Sequence, residues 1–357
     1  MAIDLSLSST ELTRIICDIP SVSGDEHALA DQIEQSLAGL SHLEVIRHGN
    51  TIAARTALGR AQRVVIAGHI DTVPINRNVP TRLIEVGGEP HLWGRGTVDM
   101  KAGVAVQLKL AAELVAPAVD ITWMWYDNEE VDASRNGLGL LHAAHPELFH
   151  GDFAILGEPS DGLIEGGCNG TLRAVVRTRG VRAHSARSWV GENAIHAAAP
   201  VLARLAEYEP RQVAVDGLVY REGLNAVAIR GGIAGNVIPD ACEIEINYRF
   251  APSASPEEAE AHVRSVFEGF EVEIADAAPG ARPGLDAPIA QQFLAAVGSA
   301  PKPKYGWTDV ARFSALGIPA VNYGPGDPHL AHHDEERVPL AQIDAVERGL
   351  RAWLSGP

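Results

Sequence analysis

Cysteine is scarce in this chain of 357 residues, with three copies, Cys17, Cys168 and Cys242. No two form a C-x-x-C pair and three cannot build an even framework, which excludes a disulfide scaffold and points to a reducing compartment. Basic residues are outnumbered, 29 Lys+Arg against 46 Asp+Glu, for a formal net charge of −17. A nucleic-acid binder needs a basic surface to displace counterions, and an anionic membrane repels a chain of this charge, so neither partner is expected. No run of about 18 uncharged apolar residues is present to span a bilayer. The opening MAIDLSLSSTEL has neither the basic region nor the apolar run of a secretory signal, so a cytoplasmic protein is expected. Internal repeats and low-complexity tracts are missing too. So is any G-x-S-x-G elbow, which removes a serine-hydrolase reading.

What is present is the composition of a large folded chain. At 46% apolar residues it can bury an extensive core without cross-links, and its length suggests about two domains. The first half alternates helix and strand signals. Ser23 and Glu26 stand at capping-box spacing ahead of Leu29, Ile33, Leu37 and Leu40, which recur at helical intervals. Apolar runs at 43–46, 63–68, 121–126 and 153–157 read as strands, and 100–115 as a helix. Apolar strands alternating with helices imply an α/β fold with a mostly parallel sheet. From about residue 169 the texture changes to half-exposed strands at 171–180, 224–232, 242–250 and 272–274. Helices are expected at 192–208 and after Ser255-Pro256-Glu257-Glu258, a cap followed by proline and first-turn acids. The order β-α-β-β-α-β is that of a ferredoxin-like unit. A linker-like stretch at 276–288 follows, and then α/β texture resumes. We therefore expect a catalytic α/β domain over 1–168 and 280–357, with a second domain, 169–279, inserted in it.

Chemistry collects at strand ends. Gly68-His69-Ile70-Asp71 closes the strand VVIAG, at the carboxyl end where open α/β sheets place their ligands. His69 can bind a metal through one ring nitrogen while Asp71 orients the ring. Alone, the same residues read as a capped loop with a surface histidine. Gly94-Arg95-Gly96-Thr97-Val98-Asp99 opens the 100–115 helix, but a dinucleotide-binding loop needs glycine where Asp99 stands. Asp99 is also a plain helix-cap candidate. The strand ITWMWY runs into Asp127-Asn128-Glu129-Glu130, and FAILG into Glu158-Pro159-Ser160. Late in the chain, Leu330-Ala331-His332-His333-Asp334-Glu335-Glu336 supplies further imidazole.

Five motifs in this order, GHID, GRGTVDMK, DNEE, GEPS and AHHDEER, resemble the dizinc aminoacylase/carboxypeptidase family of amidohydrolases across nearly the whole chain. The resemblance implies a dizinc-peptidase-like catalytic domain and an inserted lid that also forms a homodimer. It implies that one zinc is held by His69 and Glu158, a second by Glu130 and His332, and that Asp99 bridges them. Glu129 would be the general base and Asp71 the support of His69. The family spacing, a histidine two residues before an acidic pair, selects His332 over His333. Two Zn²⁺ bring four positive charges and three carboxylate ligands remove three, which leaves a cationic site able to lower the pKa of a water molecule. Co²⁺ and Mn²⁺ suit the same donors.

Within the family, the stretches at 165–174, 183–189, 220–227, 234–240, 302–328 and 330–339 resemble the actinobacterial-type desuccinylases. That resemblance implies a small-molecule substrate, N-succinyl-LL-2,6-diaminopimelate, cut to succinate and LL-2,6-diaminopimelate. It implies that His184, in Val181-Arg182-Ala183-His184-Ser185, stabilises the oxyanion, and that Asn236, Arg249 and Thr308 meet the substrate. One departure stands out. Cys168-Asn169 precede Gly170-Thr171 where desuccinylases of better-known pattern carry an arginine pair, which makes Arg173 or Arg187 the candidate replacement for the missing cation, with Thr171 and Arg173 expected among the substrate contacts. The alternatives are another N-acyl amino-acid deacylase, such as an acetylornithine-type enzyme, or a dipeptidase. A non-catalytic zinc-binding module is the reading from a different class, and Glu129 argues against it, because a binding protein has no need of a base beside its metals.

Overall fold

The computed structural model describes residues 2–356. The chain separates into two compact units. The first comprises Met1–Gly166, Gly284–Lys302 and Arg312–Pro357, and the second Gly167–Pro283 and Pro303–Ala311.

The first unit is built on an eight-stranded sheet whose centre is parallel. The strands Asp120–Tyr126, Arg63–His69, Phe153–Leu156 and Ala320–Asn322 lie side by side in that order, all parallel. The hairpin Glu44–His48/Thr51–Arg55 adds an antiparallel edge beside Asp120–Tyr126. Every residue of ITWMWY is buried, as expected of a strand covered on both faces. The helix Lys101–Glu113 is buried from Lys101 through Ala111, all round rather than along one stripe. Helices Ser9–Cys17 and Leu340–Ser355 pack against it. A small sheet not anticipated from sequence pairs Glu89–Trp93 with Arg82–Val86 on one side and Arg337–Pro339 on the other.

Glycine permits the closest approach in this unit. A Cβ on Gly103 would lie 2.2 Å from the carbonyl oxygen of Gly157, so the helix that follows Asp99 rests directly on the strand end that precedes Glu158.

The second unit is a four-stranded antiparallel sheet of strands Gly223–Gly231, Ala241–Phe250, Gly170–Arg179 and Glu271–Ala278, in that order across the sheet. In chain order this is 2-3-1-4, with helices after the first and third strands, the ferredoxin-like arrangement. Alternate residues Leu172, Ala174, Val176, Ile244, Ile246 and Tyr248 face a core closed by Val201, Val263 and Phe267. Ser255 and Glu258 form a reciprocal capping box at the start of the helix Pro256–Val266.

Several local expectations change. Ser23 and Glu26 do not cap the next helix, which starts at His27 without a side-chain cap. The Ser23 hydroxyl instead donates to Asp71 Oδ2 at 2.7 Å, and Glu26 Oε1 accepts from the Gly24 N–H at 2.7 Å. The helix expected over 192–208 is two, Ala194–Ala197 and Ala199–Ala206, because Pro200 starts a new helix rather than continuing one. The stretch 276–288 begins as strand, through Ala278. The segment Pro303–Ala311, expected with the catalytic domain, belongs with the second unit. Hydrogen bonds from Asn169 N–H to Lys304 O (3.2 Å) and from Trp307 Nε1 to Pro279 O (3.1 Å) hold it there.

Candidate metal centre

Three parallel strand ends in the first unit converge on one group of side chains. His69 closes its strand opposite Tyr126, whose ring meets the imidazole edge to face. Beyond Tyr126 the chain reverses at Asn128, which takes a left-handed conformation (φ 56°) and turns Glu129 and Glu130 back toward His69. Glu158 follows the third strand, two residues beyond Leu156.

Asp99 sits between the two histidines. Its Oδ1 is 3.0 Å from His69 Nε2 and its Oδ2 is 3.2 Å from His332 Nε2. His332 Nε2 also lies 2.9 Å from Glu130 Oε1, and His69 Nε2 3.9 Å from Glu158 Oε1. Candidate donor atoms of His69, Asp99 and Glu158 fall within 4.8 Å of one another, as do those of Asp99, Glu130 and His332. Asp99 is common to both sets. A third set joins His69, Glu129 and Glu130. His333 faces elsewhere, its Nδ1 accepting from the Glu335 N–H at 3.1 Å.

Asp71 organises this group from behind. Its carboxylate accepts from the backbone N–H of Glu129 (3.0 Å) and of Glu130 (3.1 Å) and from the Ser23 hydroxyl. Its Oδ1 lies 3.4 Å from His69 Nδ1, which leaves Nε2 to face the carboxylates. Burial favours the neutral acid, but the hydrogen bond and charge of His69 and these donors outweigh it and hold Asp71 below the usual carboxylate range. Burial likewise opposes a charged His69, yet its bonds to Asp71 and Asp99 keep its pKa well above the ordinary value. The bond to Asp99, then that to Glu130, pushes His332 up to about 10.

The donor set fits a divalent metal. Two imidazole nitrogens and several carboxylate oxygens converge on a partly buried spot, where the raised pKa values of both histidines favour protons between the acids. A divalent cation takes the place of those protons.

Sequence reasoning missed three residues around this group. Ser23 reads as a helix cap. Arg95 and Glu336 stand in the sequence motifs with no role assigned to them, yet both are buried and paired, Arg95 Nη1 to Glu336 Oε2 at 2.9 Å. Their positions inside the GRG and AHHDEER motifs were the available signal.

The substrate-facing residues expected from sequence lie in the second unit and form two groups. His184 pairs with Val237 in a two-residue ladder, its Nδ1 accepts from the Ala186 N–H, and the Ser185 N–H donates to Asn236 O, so His184 and Asn236 are neighbours. Thr171 stands directly across from Arg249, and Asn247 touches both, Nδ2 to Thr171 Oγ1 at 3.4 Å and Oδ1 to Arg249 Nε at 3.1 Å. Arg249 is half-buried, burial lowers its pKa, and among the described residues it has no ion-pair partner. Arg173, further along the same face, is exposed and lies 3.8 Å from Asp276. Thr308 is buried, its carbonyl 3.7 Å from Cys168 Sγ.

Comparison with known proteins gives the family. A Mycobacterium tuberculosis chain named "Putative succinyl-diaminopimelate desuccinylase" is 53% identical over 357 residues, covering 99% of this chain and 100% of that one. A succinyl-diaminopimelate desuccinylase of Corynebacterium glutamicum is 46% identical, covering 99% and 98%. Among solved structures, a tripeptidase of Staphylococcus aureus superposes with a TM-score of 0.77 at 20% identity over 99% of each chain, a likeness of fold. Residues 65–355 match the model of the peptidase family M20/M25/M40, and the chain belongs to that family.

Proposed function

We propose that this protein is a metal-dependent amidohydrolase that cleaves N-succinyl-LL-2,6-diaminopimelate to succinate and LL-2,6-diaminopimelate. The observation that carries the reading is Asp99 placed between His69 and His332, with Glu129 and Glu130 beside them. Full-length relatives at 53% and 46% identity support the substrate.

On this reading two Zn²⁺ ions bind, one to His69 and Glu158, the other to Glu130 and His332, with Asp99 shared. Co²⁺ or Mn²⁺ suits the same donors. When bound, such a pair polarises the scissile carbonyl and makes water acidic near neutral pH. Geometry alone admits either glutamate of the pair as a ligand. The 2.9 Å approach of His332 to Glu130 favours Glu130, which frees Glu129 as the base. Glu129 takes the proton of the attacking water and delivers it to the departing amine. Asp71 keeps the His69 ring oriented and holds the Glu129–Glu130 backbone through both N–H groups. His184 donates to the developing oxyanion. Arg249, a half-buried fork without an acidic partner, receives a substrate carboxylate. Thr171, Arg173, Asn236 and Thr308 complete the substrate contacts.

The deciding experiment is a panel of N-succinyl-LL-2,6-diaminopimelate, N-acetylornithine and dipeptides with added Zn²⁺. Turnover of the succinyl compound above the rest is expected. Hydrolysis of the other two classes alone overturns the substrate.

The same reading makes the second unit a dimerisation surface. Its strand Gly223–Gly231 is an edge strand, and Val227, Ile229 and Ile233 are exposed at 58%, 50% and 68%. An unpaired strand edge with apolar side chains is a template for pairing with a second copy.

A further inference from the structure

Two buried charges have no place in the chemistry above. The Glu336 carboxylate and the Arg95 guanidinium are each almost fully enclosed in the first unit. Glu336 Oε1 accepts from the backbone N–H of Val98 at 2.8 Å and of Asp99 at 3.0 Å, while Oε2 accepts from Arg95 Nη1 at 2.9 Å. Arg95 Nη1 also donates to His333 O at 3.3 Å, and Nη2 lies 3.7 Å from Asp334. The segment carrying Asp99 and the turn carrying His332 are thus clamped to each other through side chains as well as backbone. Trp93 pairs with Arg337 in the small sheet, and the Gly94 N–H continues that ladder to Glu336 O.

The clamp has a specific object. His69 is fixed by burial, its side chain 1% exposed, whereas the His332 side chain is 55% exposed. His332 also occupies the left-handed backbone region, at φ 64°. Packing does not hold such a residue in place. A buried ion pair contributes little net stability over apolar side chains of the same volume, and Glu336 lies close to Asp99, a like charge. What the pair supplies is register.

We infer that Glu336, braced by Arg95, is a positioning residue that keeps His332 aligned with Asp99 and so sets the affinity for the ion they share with Glu130. This rests on the dinuclear reading above.

The test is Glu336→Gln, which keeps the shape but replaces an acceptor with an amide N–H where donors already point. Binding of Co²⁺ is followed by its visible absorption and by competition with a chelator, beside the thermal midpoint of the metal-free chain. The wild type takes up two ions. In the variant the dissociation constant of one ion rises about 10- to 100-fold, the usual size for a residue behind a ligand, and the other changes by less than about threefold. In a His332→Ala background, Glu336→Gln leaves the remaining constant unchanged. Should Glu336→Gln not fold, Arg95→Lys, which keeps the charge and loses the fork, gives the same selective loss. A lowered thermal midpoint with both constants unaltered, or with both raised equally, overturns the inference while the dinuclear reading stands. A wild-type chain that binds one ion overturns both.

Discussion

Single side chains here are governed by what lies behind them. Glu129 and Glu130 are neighbours in sequence, and on the proposed reading they take different tasks, Glu130 beside His332 as a ligand and Glu129 as the base. Glu129→Gln keeps the shape and removes the proton acceptor. It should retain its metal content and lose about 10²- to 10⁴-fold in turnover. Full turnover with full metal would show that the base lies elsewhere. Asp120 makes a different point, about stability. It is buried, which favours protonation, but the Leu58 N–H, the Thr56 hydroxyl, the Arg60 N–H and the charge of Arg63 outweigh that and hold its pKa below the ordinary value. A group whose folded pKa lies below its unfolded value of about 3.9 stabilises the fold above that pH and loses its effect as pH falls through the folded pKa. Asp120→Asn should therefore cost about 1–3 kcal/mol at pH 7. The gap to wild type should narrow below about pH 4. An equal gap in urea melts at pH 7 and pH 3 would refute this. Of the proposed ligands, His69, Glu130 and Glu158 were legible in sequence as candidates because each lies just past an apolar run, and Asp99 and His332 only through the family motifs. Arg95 and Glu336 were not, since their partners lie 241 residues apart and an acidic run reads locally as solvated surface.

At the scale of elements, the site is set by how closely one helix meets one strand end. The Gly103 contact with Gly157 draws Asp99 toward Glu158, so both can face His69. Gly103→Ala leaves its methyl no room and should destabilise by about 1–3 kcal/mol. It should weaken metal binding as well. Metal affinity and thermal midpoint both equal to wild type would show that the contact does not matter. Sequence pattern identified the major strands and helices, as wholly apolar runs in the first unit and as alternation in the second. It did not identify the small sheet that joins Glu89–Trp93 to Arg337–Pro339, because half-exposed five- and three-residue strands carry too little pattern to separate from loop. It also read Ser23 and Glu26 as a cap, since spacing cannot tell which of two available partners a hydroxyl will take.

For the whole molecule, the insertion was legible as a change of texture near residue 169, where buried runs give way to alternation. The return of Pro303–Ala311 to the second unit was not, because hydrogen bonds to distant backbone hold it there rather than any pattern of its own. The exposed edge of that unit leads to a quaternary prediction. Light scattering should find the wild type dimeric and Ile229→Asp, at the centre of the edge strand, shifted toward monomer. A monomeric wild type at micromolar concentration would remove the dimer from the reading.

The interrupted first unit also has a consequence for synthesis. His69, Asp99, Glu130 and Glu158 all precede the insertion, whereas His332 arrives 202 residues after Glu130. On the dinuclear reading the first ion's ligands are complete only at Glu158, so at ~5–20 residues per second a nascent chain spends about 9–35 s with one ion's ligands made and the other's incomplete. A ribosome that stalls within the insertion would, on that reading, leave a chain with the residues proposed for one ion and without His332 for the other.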